Sequence, residues 1–270
     1  QQSRLYASDG TTQIGTFYAQ NRIVVPLKKI SKPMRQAVVS REDRRFFRHA
    51  GVDIQGVMRA FVATYVKKGA TQGGSSLTQQ YVKNVLLLQA QEDNDPIAEY
   101  HASEETVARK LREMLIAVQM EKTYSKLEIL QGYLNIAQFG RGIYGVEMAA
   151  RRYFSTTADK LDIVQAATIA AITKNPAAFD PSVESNQKAS QRERNIVLDL
   201  MYQEEYISQK QRDEAKAKPL KDTLKLQDAQ AGCSASGDAA FFCDYVTKKI
   251  LNSKEFGKTI EERKKLLYEG

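Results

Sequence analysis

At 270 residues, 42% of them hydrophobic, the chain is long enough to bury a full core, as one large domain or as one domain with an appendage. A net charge of +8 and a pI near 9.3 imply an anionic partner, but Lys and Arg are scattered and no zinc-finger, basic-zipper or RNP pattern appears, which argues against nucleic acid. No apolar run reaches the roughly 18 residues of a spanning helix and no secretory signal opens the chain, so the sequence reads as a soluble protein or as the part of an anchored protein outside the membrane.

In chain order, residues 4–18 predict a small β-hairpin turning at Asp9-Gly10. Ser31 followed by Pro33 starts a helix that leads to Glu42. The stretch Arg41-Glu-Asp-Arg-Arg-Phe-Phe-Arg-His-Ala-Gly-Val-Asp53 then places a carboxylate doublet beside two aromatics and one of only two histidines. Phe46 and Phe47 are suited to desolvating one carboxyl, as proton transfer near neutral pH requires, while Asp43 and the arginines shape the loop. A charged helix end followed by a turn is the other reading of these residues. Asp53 opens the next predicted helix, whose apolar positions Ile54, Val57, Met58, Phe61, Val62, Tyr65 and Val66 recur at three and four until Gly69. Arg59 lies off that stripe, either solvated or free to meet an anion. Phe61, Val62, Tyr65 and Val66 are expected to face a bilayer in part, with Lys67 and Lys68 near acidic headgroups; burial in the core is the competing expectation.

A Gly pair at 73–74 gives a pliant loop, and Ser76 with Gln79 forms a capping box for a helix with Leu77, Tyr81, Val85 and Leu88 on one side. The free backbone N–H groups of such a helix start favour an anion, and Thr78, Gln79 and Lys83 lie in its first two turns. Gly-Lys-Ser/Thr is absent, so this is no Walker loop; taken alone, the stretch reads more readily as a hinge before a core helix. Residues 91–105, acidic and interrupted by Pro96, read as a surface insertion. Thr106 then begins a helix with Val107, Leu111, Met114 and Val118 in one stripe and Ile116 and Met120 opposite. Glu113 is therefore expected to point from a largely buried helix and to need Arg109 or Lys110 as partner. A second capping box, Ser125 with Glu128, starts the next helix, and a glycine-punctuated loop leads to another at 145–154. Helices are further expected from Asp159 to Thr173 and from Asn186 to about Tyr202, making the chain mainly α.

Four stretches in this order resemble the peptidoglycan glycosyltransferase domain of penicillin-binding proteins, glycosyltransferase family 51. They are Glu-Asp-x-x-Phe-x-x-His-x-Gly at 42–51, Gly-Gly-Ser-x-x-Thr-Gln-Gln-x-x-Lys-Asn at 73–84, Arg-Lys-x-x-Glu at 109–113 and Lys-x-x-Ile-Leu-x-x-Tyr-Leu-Asn at 126–135. The run Ala166 to Pro176 is similar to the family's fifth motif, although the family more often has Pro-Gln where Thr173-Lys174 stands. The resemblance covers residues 4–215. It implies a lysozyme-like helical lobe with a smaller membrane-facing jaw lobe. Residues 216–270 are expected to be a linker and the start of a truncated transpeptidase region, with Phe241 to Val246 at its beginning.

The resemblance further implies polymerisation of lipid II on the extracytoplasmic face of the bacterial cytoplasmic membrane, by a protein held there by an N-terminal transmembrane helix. Partners would be the growing glycan chain, the membrane, moenomycin-type inhibitors and other cell-wall synthesis proteins. Glu42 is expected as the base and Glu113 as the residue that orients the cations or helps hold a divalent ion. Asp43, Phe46, His49, Arg59, Gly74, Ser75, Thr78, Gln79, Gln80, Lys83, Asn84, Arg109, Lys110, Tyr133 and Asn135 are expected to bind substrate. No His or Cys cluster suggests a tightly held metal, so Mg²⁺ or Mn²⁺ would be labile and ride on the pyrophosphate. In that oxidising compartment Cys233 and Cys243, ten apart, are expected to pair. A lysozyme-like hydrolase and a non-catalytic cell-wall binding module remain as alternative readings.

Overall fold

The computed structural model describes residues 3–17, 22–56, 74–227, 233 and 237–269. The expected mainly α architecture is what it contains, with a single two-stranded sheet among the described residues. Strands β1 (Ser3–Tyr6) and β2 (Gln13–Phe17) pair antiparallel, Ser3 opposite Phe17. Their turn is held by Asp9, whose carboxylate accepts the backbone N–H groups of Thr11 and Thr12 at 2.8 Å. The Thr12 hydroxyl, and after it these backbone bonds, hold the pKa of the Asp9 carboxyl down to about 2.

The core is built around α7 (Ile163–Ile172), which packs on α1 (Lys32–Glu42), α8 (Gln187–Gln203) and α6 (Val146–Phe154). Helix α7 is started by Asp162 and Gln165 in a reciprocal cap and buries eight of its residues, from Val164 to Ile172, because it is apolar on every side. Ser31 caps α1, accepting from the Met34 N–H, with Pro33 in the first turn. Around this centre lie α2 (Leu77–Glu92), α4 (Val107–Thr123) and α5 (Lys126–Ile136). Asn135 of α5 clamps the segment before α1: its amide accepts from Val25 N–H and donates to the Val25 carbonyl, both at 2.9 Å.

The acidic stretch at 91–105, read as a surface insertion, contains the end of α2 and a capped, largely exposed helix, α3 (Pro96–Ser103), because Pro96 takes the first helical position where its missing N–H costs nothing, and Asp95 caps it. One expectation changes. Helix α4 turns its predicted apolar stripe outward: Val107 is 77% exposed and Leu111 56%, while Glu113 and Ala117 are buried. The backbone of Gly51 fixes this orientation. It lies so close to α4 that a Cβ there would sit 2.7 Å from the Val118 nitrogen, and its φ of +84° suits glycine.

The helical packing runs beyond residue 215. Helix α9 (Gln209–Ala217) is followed by the buried Leu220 in the short α10 (Leu220–Thr223). The fully buried Arg194 donates to the Lys218 carbonyl at 2.8 Å, and burial lowers its pKa. Residues Lys225 and Gln227 then bond the backbone of Tyr153 and Arg152. The tail helices α11 (Ala240–Asn252) and α12 (Ile260–Glu269) fold back onto the N-terminal hairpin, where Phe17, Cys243 and Leu267 make a second small core. Cys233 and Cys243 are joined by a disulfide. Gly15 lets this happen, since a Cβ there would come 2.9 Å from the Cys243 sulfur.

Candidate active site

Helix α1 ends at Glu42, whose side chain stands half-buried between two other elements. Gln80, one turn into α2, donates its Nε2 to Glu42 Oε2 at 2.6 Å. The hydroxyl of Thr173, at the C-terminal end of α7, reaches Glu42 Oε1. Gln80 is itself steadied by the fully buried Tyr133, whose hydroxyl donates to Gln80 Oε1 at 3.4 Å. Burial, and then the charge of Glu42, push the Tyr133 phenol well above its ordinary range, so it remains a donor at any physiological pH. The aromatic pair expected to cover this carboxyl packs elsewhere. Phe46 is buried with the Lys126 ammonium 4.5 Å from its ring centre, and Phe47 lies edge-on to it, half exposed.

Asp43 is the anion that occupies the α2 helix start. Its Oδ2 accepts the Leu77 N–H at 3.0 Å and bonds His49 Nε2 at 2.8 Å, and the side chain is 3% exposed. The helix start thus takes up a carboxylate of its own chain, where a substrate anion was expected, because backbone N–H groups there stabilise whichever negative charge is closest. The arginines around it lock the loop: Arg41 pairs with Glu193 at 2.7 Å, Arg44 with Glu204, and Arg45 with Asp53 at 3.2 Å.

Thr78 and Gln79, expected at the substrate, are fully buried. The Thr78 hydroxyl donates to Glu121, which Lys126 also meets at 2.8 Å, and Gln79 completes the capping box with Ser76. Glu121 and Lys126 therefore connect the α2 start to the Phe46 ring, a link the sequence motifs did not reveal since its members lie on four separate segments of the chain. Lys83 and Asn84 are half-buried on α2, and Gly74 and Ser75 precede it. Asn135 is spent on the Val25 clamp described above. Arg59 lies outside the described residues, as do 57–73 altogether.

The cationic half of the site sits on α4. Glu113 is 2% exposed and takes Arg109 on Oε1 and Lys110 on Oε2, the latter at 3.1 Å. One carboxylate between two cations leaves an excess positive charge, and Lys110 Nζ also meets Ser75 Oγ at 2.5 Å. The start of α2 therefore joins both halves, Ser75 touching Lys110 and Gln80 touching Glu42. A hollow of about 390 Å³ beside this cluster is lined by Arg109, Arg112, Glu113 and His101, together with Asp93 and Asp95. The arrangement can take a proton at Glu42 and balance negative charge at Arg109 and Lys110.

The family model described as Transglycosylase matches residues 10–202. The chain is 34% identical over 262 residues to penicillin-binding protein 2D of Bacillus subtilis, covering 97% of this chain and 35% of that protein. It is 38% identical over 220 residues to penicillin-binding protein 1A of Aquifex aeolicus, covering 82% of this chain and 28% of the relative. Among solved structures, penicillin-binding protein 1A from Haemophilus influenzae aligns with 95% of this chain and 25% of its own at 20% identity and a TM-score of 0.48. The chain spans about a third of the length of the two curated relatives named.

Proposed function

This chain belongs to the transglycosylase family, and from that membership we propose that it is a peptidoglycan glycosyltransferase that polymerises lipid II into β-1,4-linked glycan with inversion at the anomeric carbon. Glu42 takes the proton from the 4-hydroxyl of the acceptor GlcNAc as that oxygen bonds C1 of the donor MurNAc, and the bond from C1 to the polyprenyl pyrophosphate breaks. The leaving group carries its charge away unprotonated, so it needs positive charge nearby more than an acid. Arg109 and Lys110 supply it, held by Glu113, with Lys83 in the second turn of α2 as a further cation. The observation that carries the reading is the half-buried Glu42 carboxylate, fixed by Gln80 and Thr173, with the α4 cations tied through Lys110 and Ser75 to the start of the same helix that carries Gln80. Any Mg²⁺ or Mn²⁺ would arrive with the pyrophosphate, without a tight protein site.

A lysozyme-type hydrolase would need one protonated acid and a water, and would leave the cation cluster without a task. Labelled lipid II incubated with the protein, alongside preformed glycan, separates the readings: polymer supports the transferase, cleavage of glycan the hydrolase, and neither outcome a binding module.

We place the working position at the outer face of the cytoplasmic membrane. Among the described residues no helix is long and apolar enough to cross a bilayer. Contact by surface insertion is supported by the outward stripe of α4, with Val107, Leu111 and Leu115 each more than half exposed. Burying a leucine in an apolar phase contributes roughly 1.5–3 kcal/mol, so Leu111→Asp with Leu115→Asp should reduce partition into acidic vesicles by about tenfold or more. Sedimentation with vesicles measures this, and an unchanged Tm shows that the stripe is not core. Unchanged partition would remove α4 from the membrane face. The jaw-lobe residues Phe61, Val62, Tyr65 and Val66, and Lys67 and Lys68, lie outside the described residues.

A further inference from the structure

We propose that Thr173 is a positioning residue that serves the base in both of its protonation states. The inference rests on the reading of Glu42 as base. A hydroxyl has one proton and two lone pairs. Thr173 Oγ1 has two acceptors in reach, Glu42 Oε1 and the Ala170 carbonyl oxygen at 2.8 Å, and can donate to only one at a time. With Glu42 ionised the hydroxyl donates to the carboxylate, the stronger bond because its acceptor is charged. Once Glu42 has taken the acceptor's proton it becomes a donor and needs a lone pair. The Thr173 hydroxyl then turns its proton to Ala170 and accepts from Glu42.

Gln80 cannot do the same. Its Nε2, which only donates, faces Glu42 while its Oε1 accepts from the Tyr133 hydroxyl, so following the proton would take a turn of the whole amide, where Thr173 turns a single O–H. Of the two described side chains on Glu42, Gln80 as placed supports the charged form and Thr173 follows the proton. The other described charged groups around the pair have partners of their own. Arg41 from α1 and Lys174 from the end of α7 both meet Glu193 of α8, at 2.7 and 3.1 Å, and Asp43 is bonded to His49. Tyr133 of α5 is the titratable side chain that faces the site, and burial keeps it neutral.

The test is turnover of labelled lipid II against pH for Thr173→Val and Thr173→Ser, with Glu42→Gln and the melting temperature of each. Valine keeps the shape and removes the hydroxyl. It should lower kcat roughly ten- to hundredfold, the scale of a hydrogen bond to a charged group, with little change in KM. It should also move the acid limb of the kcat/KM profile to higher pH, since the ionised carboxylate loses a donor. Serine should restore both. Wild-type turnover and an unmoved acid limb in Thr173→Val would overturn the inference, as would a loss that follows the melting temperature and is not rescued by serine. If Glu42→Gln itself turns over normally, the base assignment falls and this inference with it. An inactive Glu42→Gln beside a normal Thr173→Val removes the role of Thr173 alone.

Discussion

Glu42→Gln should lower the rate of lipid II polymerisation about 10²- to 10⁴-fold, the range for a lost general base, and leave folding intact. Glutamine matches glutamate in shape and cannot take up a proton. Its surroundings also tolerate the exchange. The new carbonyl oxygen can accept from Gln80 Nε2, while the new amide group faces Thr173, whose hydroxyl can accept once it donates to Ala170. No buried donor is then left opposed to another donor, so the melting temperature should move little, by the equivalent of about 1 kcal/mol at most. Initial rates with labelled lipid II, read beside a thermal melt, decide the matter. Turnover within a few-fold of wild type at an unchanged Tm would sink the assignment and pass the role of base to Glu113.

Glu113→Gln is the second large effect and differs in kind. The Glu113 carboxylate is buried and answers two cations, with the Arg109 side chain 14% exposed and that of Lys110 31%. Neutralising it leaves two positive charges facing each other with a weak acceptor between them. Breaking a buried ion pair from one side costs about 3–5 kcal/mol, and the partial exposure of both cations points to the lower end. For a domain of this size that is a fall in Tm of roughly 6–12 °C. Activity should also fall, on the order of 10²-fold, because a clamp displaced by an ångström no longer meets its charge. A melt and a rate measurement on one preparation suffice. Full stability with lost activity would make Glu113 a participant in the chemistry, and full activity with lost stability would make the triad purely structural.

Part of this protein was legible from neighbours in the chain. The capping boxes Ser76 with Gln79 and Ser125 with Glu128, the cap at Ser31 ahead of Pro33, the turn at Asp9 and the pairing of Glu113 with Arg109 and Lys110 all involve residues within four of each other. Such contacts follow from backbone geometry alone, and the residue types state them directly. The apolar composition of α7 likewise announces a helix surrounded on all sides.

The partners of the base are of another kind. Gln80 stands 38 residues from Glu42 and Thr173 stands 131 away, and they meet only because α1 packs on α7 and the first turn of α2 reaches the end of α1. For the same reason Asp43, read from the sequence as a site residue, became the anion of the α2 start. The outward stripe of α4 gives the plainest case. Periodicity correctly placed Val107, Leu111 and Val118 on one side of a helix, but a stripe carries no record of what covers it. Here the covered side is the one beside Gly51, where the paired charges of Glu113 and the small Ala117 fit, and the apolar side was left outside the core. Local order along a chain is set by bonds between near neighbours. Which surface faces inward depends on the shape of elements tens of residues away, and that exists only once the chain has folded.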